Sequence, residues 1–302
     1  MKKLLLSASL LFLMFACGED ADSPDDAGTK RDTTVVGEGS SGKNKLSPDV
    51  IKGIIESIPN PIEISFLIKD MGVKYNPAIL NSTDKVSSYN TEYKKALNLG
   101  VYSTDLGYAN IYSQSQDAIG FLTGVKDMAD GLNIGKFFDF ETIKQLASSS
   151  DNMNELLQET TMNLQKMNDY LQKEDRTDAT VLILAGAWIE AVYLTTNVAK
   201  EQRNKELEIR IAEQKVTLDQ LLLLLGHYES SPKMRTLREN LSDLDKIYAK
   251  IDVKYIKGES KEVIENGILT IQQTEIPEIT MTTQDLDNIY AKIVEIRNSI
   301  IN

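Results

Sequence analysis

The sequence predicts an all-α fold, a bundle of about eight to ten helices, and three observations support this class. Apolar side chains recur every three or four residues through most of the chain after Ser47, which is the spacing of one helical face. Residues 179–199 include an apolar run that is hydrophobic on every side, as in a central buried helix. The alternation of strand and helix patterns that is typical of a parallel sheet is not seen in the sequence. We therefore expect one helical domain over residues 47–302.

The first residues have the pattern of a secretion signal. Lys2 and Lys3 precede an apolar run over residues 4–16, which is shorter than the roughly 20 residues that span a bilayer. Cys17 is the only cysteine of the chain and follows Ala16 directly. The pattern predicts a signal peptide over residues 1–16. The alternative is ordinary signal-peptidase cleavage after Gly18, which would discard Cys17.

The segment around Cys17 resembles the signal of bacterial lipoproteins. That resemblance implies acylation of Cys17, as by palmitate, and attachment to a lipid bilayer. Five acidic residues and no basic residue lie between Gly18 and Asp26, and they resemble the acidic export signal of Bacteroidota-type lipoproteins. This second resemblance implies the outer membrane and often its outward-facing leaflet; the alternative is a solvated acidic spacer. Residues 17–46 contain few apolar side chains, so we expect a flexible tether with a reach of roughly 30 Å.

The first part of the domain begins with a helix capped by Ser47 and Pro48, followed by a short apolar stretch over residues 62–71. The spacing of tyrosines predicts one long helix from Thr83 to about Gln116. Beside them runs a stripe of small residues, which allows a neighbouring helix or a ligand to approach the backbone. Its members are Ala96, Gly100, Ser103 and Gly107.

The tyrosine stripe is the most site-like feature of the sequence. With the single tryptophan it provides a candidate ligand-binding face, although aromatic stripes at helical spacing are more often core. Glu190 adds a carboxylate inside the most apolar helix, where it must be paired, protonated or directed at a polar cavity. The candidate ligand-binding residues are Tyr89, Tyr93, Tyr108, Tyr112, Trp188 and Glu190.

The remaining elements follow from periodicity and breaker residues. A possible short extended hairpin lies near residues 267–281, and Gly226 before His227 predicts a helix end. Residues 244–251 are repeated closely at 286–293, which favours two helices that dock similarly on one core, with a true repeat as the alternative. Further helices are predicted over residues 117–130, 140–147, 152–173, 201–225 and 232–251.

Composition excludes several classes of function. The net charge of −12 argues against nucleic acid as partner, and one histidine with one cysteine argues against the common metal sites and histidine-dependent triads. Gly37, Gly42 and Lys43 match part of a phosphate-binding loop, but Asn44 replaces its Ser or Thr, so no nucleotide is expected. The sequence predicts no cofactor and no metal.

Three functions remain open. The leading one is a non-catalytic cell-envelope lipoprotein that binds a partner protein or belongs to an outer-membrane assembly. The second is a lipoprotein that binds a small ligand or a glycan through the Tyr and Trp side chains. The third is a hydrolase that uses Glu190 and a second carboxylate about 5 to 9 Å away in a cleft.

Overall fold

The computed structural model describes residues 46–59, 62–147, 152–265 and 268–302. The predicted signal peptide, Cys17, the rest of the acidic tether up to residue 45, and with it the partial match to a phosphate-binding loop at Gly37, Gly42 and Lys43, lie outside the described residues.

The all-α, multi-helix bundle predicted from periodicity is confirmed. In the described part of the chain, ten α-helices are joined by short loops and three short 3₁₀ segments. The helices are α1 (Pro48–Ser57), α2 (Ile62–Asp70), α3 (Glu92–Ile111), α4 (Ser115–Gly131), α5 (Phe140–Ala147), α6 (Met153–Lys173), α7 (Thr177–Glu201), α8 (Lys205–His227), α9 (Pro232–Tyr248) and α10 (Thr283–Ile301). The 3₁₀ segments are η1 (Pro77–Ile79), η2 (Thr83–Ser88) and η3 (Gly135–Phe137).

Helix α7 is the centre of the bundle, as predicted for residues 179–199. It contacts α2, α3, α6, α8 and α10, while α4 packs on α3, and α9 packs on α8 and α10. By length and composition alone α7 could cross a membrane, but 89% of its most apolar window is buried inside the fold. Such burial is typical of the core helix of a bundle.

Two glycines let α3 and α7 cross in backbone contact. A Cβ atom added at Gly100 would overlap the carbonyl oxygen of Ile183, and one added at Gly186 would overlap the carbonyl oxygen of Leu97. The Thr104 hydroxyl donates across this contact to the carbonyl oxygen of Ala187 at 3.2 Å. The small-residue stripe predicted on α3 therefore accommodates a neighbouring helix.

The single long helix predicted from Thr83 to Gln116 is wrong, because the chain breaks it at both ends. Thr91 caps α3, its hydroxyl accepting a hydrogen bond from the Lys94 N–H at 3.2 Å, so residues before it form the separate segment η2. After Ile111, Ser113 takes a positive φ of 57°, and the Gln114 N–H reaches back to the Ala109 carbonyl at 2.9 Å. This geometry ends a helix by satisfying its last carbonyls.

The end predicted for α8 at Gly226 is also displaced, because the helix continues through His227. Nδ1 of His227 accepts a hydrogen bond from the Leu46 N–H at 3.1 Å. The single histidine thus joins the residue just before the Ser47 cap of α1 to the end of α8.

The extended segment is a longer hairpin than the one predicted near residues 267–281. Strand β1 (Val253–Glu265) pairs antiparallel with β2 (Ile268–Ile279), from Val253 opposite Ile279 to Glu265 opposite Ile268, with a shift of register between Lys257 and Ser260. The prediction found the second strand and missed the first. In the sequence, the dipeptide Asn266–Gly267 is of a type that favours two-residue hairpin turns, and it was the available signal.

Candidate functional site: the Glu190 cluster and the hairpin

Glu190 is fully buried in α7 and forms an ion pair with a residue of α10. Arg297 binds it with two parallel hydrogen bonds, from Nε to Oε2 at 2.6 Å and from Nη2 to Oε1 at 2.7 Å. The sequence required a partner for Glu190, and the structure identifies it as an arginine 107 residues away along the chain. The planar guanidinium matches this bidentate geometry better than a lysine could.

Asp105 of α3 is the third charged residue here, and it is also fully buried. Burial, together with the negative charge of Glu190, raises the pKa of Asp105 well above its ordinary value; Arg297 and the Asn81 N–H oppose this only in part. Oδ2 accepts from the Asn81 N–H at 3.1 Å, whereas Oδ1 receives no hydrogen bond. The raised pKa favours the protonated form of Asp105 beside Glu190. We call Asp105, Glu190 and Arg297 the Glu190 cluster.

The Arg297 guanidinium has two further contacts. Its Nη2 donates to the Ile79 carbonyl oxygen at 3.1 Å, and its Cζ lies 4.1 Å from the centre of the Tyr193 ring. Such contacts stabilise a buried cation. The Glu190 cluster therefore fastens α3, α7, α10 and the η1 segment together inside the core.

Polar side chains of α3 and the loop before it close the end of α10. Asn98 Nδ2 donates to the Ile300 carbonyl oxygen at 2.9 Å, and the Tyr89 hydroxyl donates to the Ile301 carbonyl oxygen at 3.0 Å. The Tyr89 hydroxyl accepts from Asn81 Nδ2 at 3.1 Å, which connects this set to Asp105 through the Asn81 backbone. The last carbonyls of α10, which have no partner within the helix, are thereby satisfied.

The predicted aromatic face is divided among several places. The Tyr108 and Tyr112 rings lie 4.9 Å apart and are both packed beside Tyr75, whereas Tyr89 packs beside Tyr102. The Tyr89 and Tyr108 side chains are buried in the core, and those of Tyr93 and Tyr112 are partly buried.

The other two aromatic candidates lie apart from both groups. The Tyr93 hydroxyl donates to the Lys233 carbonyl oxygen at 3.4 Å. Trp188 is buried and donates from Nε1 to Gln214 Oε1 of α8 at 2.9 Å. The structure thus brings Glu190 to Asp105 and Arg297, and leaves the five aromatic residues without a common face.

Two surface cavities adjoin this region. One of about 510 Å³ has Tyr89 as its single aromatic wall and is otherwise lined by Thr83, Asp84, Val86, Ser87, Asn90, Lys95, Asp127 and Met128. The second, of about 490 Å³, lies between the loop at Tyr75 and the end of α7. Neither of these two is lined by Tyr93, Tyr108, Tyr112, Trp188 or a residue of the Glu190 cluster.

The hairpin is the element that sequence reasoning placed only in part. Val253 and Ile279 at its base pack against the core, and the Tyr255 hydroxyl donates to Glu213 Oε1 of α8 at 2.7 Å. On the opposite face Ile256 lies opposite Ile276, and these side chains are 43% and 49% exposed. The sheet has two strands in the described part of the chain, so the outer edge of each is open there.

Among the described residues, no three His, Cys, Asp or Glu side chains come together in a way that could hold a metal ion. Comparison of the chain with protein-family models, with curated proteins and with solved structures gives no match.

Proposed function

We propose that this protein is a non-catalytic lipoprotein of the cell envelope, anchored through acylated Cys17 in the outer membrane. It works as an interaction component of a protein assembly there, and its hairpin is the partner-binding element. The anchor rests on the resemblance of residues 1–26 to lipoprotein signals, and the site of interaction rests on the structure.

The observation that carries the proposal is the hairpin, with its exposed Ile256–Ile276 pair. Its strands of 13 and 12 residues extend for about 40 Å. Isolated two-stranded ribbons are marginally stable in water, and three or more strands with an apolar face are needed for independent stability. A long ribbon with an exposed Ile256–Ile276 pair is therefore suited to receive further strands from a protein partner.

The position of the buried carboxylates favours an interaction role over hydrolysis. Glu190 is engaged by Arg297 on both oxygens, and Asp105 is fully buried beside it. Glycoside-type hydrolysis needs two carboxyl groups that face a substrate in a cleft. Their present contacts instead hold α10, the helix that follows the hairpin, onto the bundle.

The test is crosslinking of the full-length protein in its native membrane, followed by purification and mass spectrometry. The hairpin variant combines Ile256→Lys with Ile276→Lys. The control combines Leu223→Lys with Ile119→Lys, which place the same charges at helical positions that are 51% and 47% exposed. We expect the partner proteins to be lost from the hairpin variant and retained by the control.

A second arm uses Cys17→Ala, which should release the protein from the membrane. Retention of every crosslinked partner by the hairpin variant would refute the hairpin as the binding element. Unchanged membrane association of Cys17→Ala would refute the anchor.

A further inference from the structure

The two edges of the hairpin differ in charge. Strand β1 contains six charged residues along its length and a shift of register between Lys257 and Ser260. Strand β2 contains two, Glu275 and Glu278, both in its half near the bundle. Residues 268–274 of β2 have no charge, no proline and no glycine.

These differences affect how readily each edge strand pairs with another chain. Charged side chains and bulges protect an edge strand against pairing with another chain. An uncharged run of six or seven residues with high β-propensity has the opposite character, because it pairs readily with a similar strand. The β1 edge is therefore protected, and the outer half of the β2 edge is open to strand addition.

We propose that this edge of β2 pairs antiparallel with the same edge of a second copy of the chain, across a two-fold axis. The proposal rests on the proposed function, since it names the partner of the hairpin. Pairing like with like opposes no two charges over residues 268–274, so the absence of charge suits a second copy.

Closure supports the two-fold arrangement. Joining β2 to its symmetry mate makes a sheet of four strands, enough for independent stability, with a protected β1 strand at each outer edge. An isologous pair of this kind closes on itself and does not propagate into fibres.

The antiparallel direction follows from charge. In a parallel in-register pair, Glu275 would face Glu275 of the partner subunit and Glu278 its equivalent, which is unfavourable. The parallel arrangement would also place two acidic helical domains side by side, whereas the antiparallel one places them at opposite ends of the sheet.

Membrane anchoring would add to the strength of pairing. Two chains on one bilayer, each on a tether of residues 17–46, meet at a higher effective concentration than two chains free in solution. The sheet itself does not require the anchor, so a weaker dimer of the Cys17→Ala protein is expected at high concentration.

The test uses cysteine crosslinking of full-length protein in native membranes with a bifunctional maleimide. The variant Gln272→Cys places a thiol in the uncharged run of β2, and Ser260→Cys places one in β1. Unmodified protein reports any reaction at Cys17. We expect at least a tenfold higher yield of covalent dimer from Gln272→Cys than from Ser260→Cys, and no larger species.

A disruption arm complements it. Thr270→Lys combined with Gln272→Lys should abolish the dimer in analytical ultracentrifugation of the detergent-solubilised protein, while Ser260→Lys should keep it. Circular dichroism should give the same melting temperature for both, since the changes lie outside the helical core.

The pairing would be overturned by equal crosslinking at positions 272 and 260 or by a ladder of larger species. It would also be overturned if the protein with Thr270→Lys and Gln272→Lys still forms the dimer. If these results occur while the Ile256→Lys, Ile276→Lys protein still loses its partners, the hairpin binds another protein and the proposed function stands. If that variant keeps its partners, the proposed function fails as well.

Discussion

The crossing of α3 and α7 provides the most direct test of the fold, through alanine at Gly100 or Gly186. Alanine is favoured over glycine inside a helix by about 1 kcal/mol, so propensity alone predicts that each substitution stabilises the protein. At these two positions the new methyl group overlaps backbone atoms of the other helix, which cannot rotate away. The helices must therefore move apart.

The expected loss of stability has two unfavourable contributions. Overpacking of a well-packed core costs typically 1–3 kcal/mol, and separation of the helices also weakens the Thr104 hydrogen bond to Ala187, which contributes about 1 kcal/mol. After the gain in propensity is subtracted, we expect Gly100→Ala to lower the free energy of unfolding by about 2 kcal/mol. The melting temperature should then fall by roughly 4–8 °C.

The assay is urea unfolding and calorimetry of the purified protein, with Gly53→Ala as the matched control. Gly53 is also a helical glycine, in α1, but a Cβ added there has no heavy atom within 4 Å. The control should gain up to about 1 kcal/mol. Equal stabilisation of Gly100→Ala and Gly53→Ala would refute the backbone contact between α3 and α7.

Three further predictions concern the Glu190 cluster and its surroundings. Glu190→Gln should lower the free energy of unfolding in urea by about 3–5 kcal/mol, because it leaves Arg297 buried without its counter-ion, and a loss below about 1 kcal/mol would contradict the ion pair. Since the pKa of Asp105 is raised on folding, the folded chain retains a proton that the unfolded chain loses, so stability should fall as pH rises from about 4 toward the folded pKa. Asp105→Asn should reduce that slope in urea titrations at several pH values, and an unchanged slope would contradict the buried proton. Tyr89→Phe should cost about 1–3 kcal/mol in calorimetry through the lost bonds to Ile301 and Asn81, whereas an unchanged melting temperature would show those bonds to be unimportant.

The helices were predictable because each buries one face in a common core, and burial leaves a period of three to four residues in the sequence. The similar stretches 244–251 and 286–293 lie at the end of α9 and within α10, two helices that pack on each other, and each buries the leucine that begins the shared pattern, Leu244 or Leu286. Periodicity does not distinguish a continuous helix from two segments in line, so the break at Thr91 was missed.

The partners of the candidate site residues could not be predicted, because they depend on contacts between distant parts of the chain. Burial of Glu190 was evident from its apolar neighbours, but no local pattern relates it to Arg297 or to Asp105. For the tyrosines, spacing predicted one shared helix, whereas partners such as Tyr75 and Lys233 come from other segments of the chain. Strand β1 was missed because its alternation of charged and apolar residues is weak in the half nearest the turn.

The hairpin is joined to the bundle at both of its ends. The chain enters β1 from α9, where Tyr248 and Ile251 are buried, and leaves β2 into α10. Asp252 and Thr280 join the two strands at their base, with the Asp252 N–H donating to Oγ1 of Thr280 at 2.9 Å.

The hairpin is therefore continuous with α10 at one end and, through the buried Ile251, with α9 at the other. Helix α10 starts with a capping box formed by Thr282 and Asp285, and its far half is held by Arg297 in the core. Separation of α10 from α7 would break this buried ion pair, which is costly, so the pair holds the helix that follows the hairpin onto the bundle.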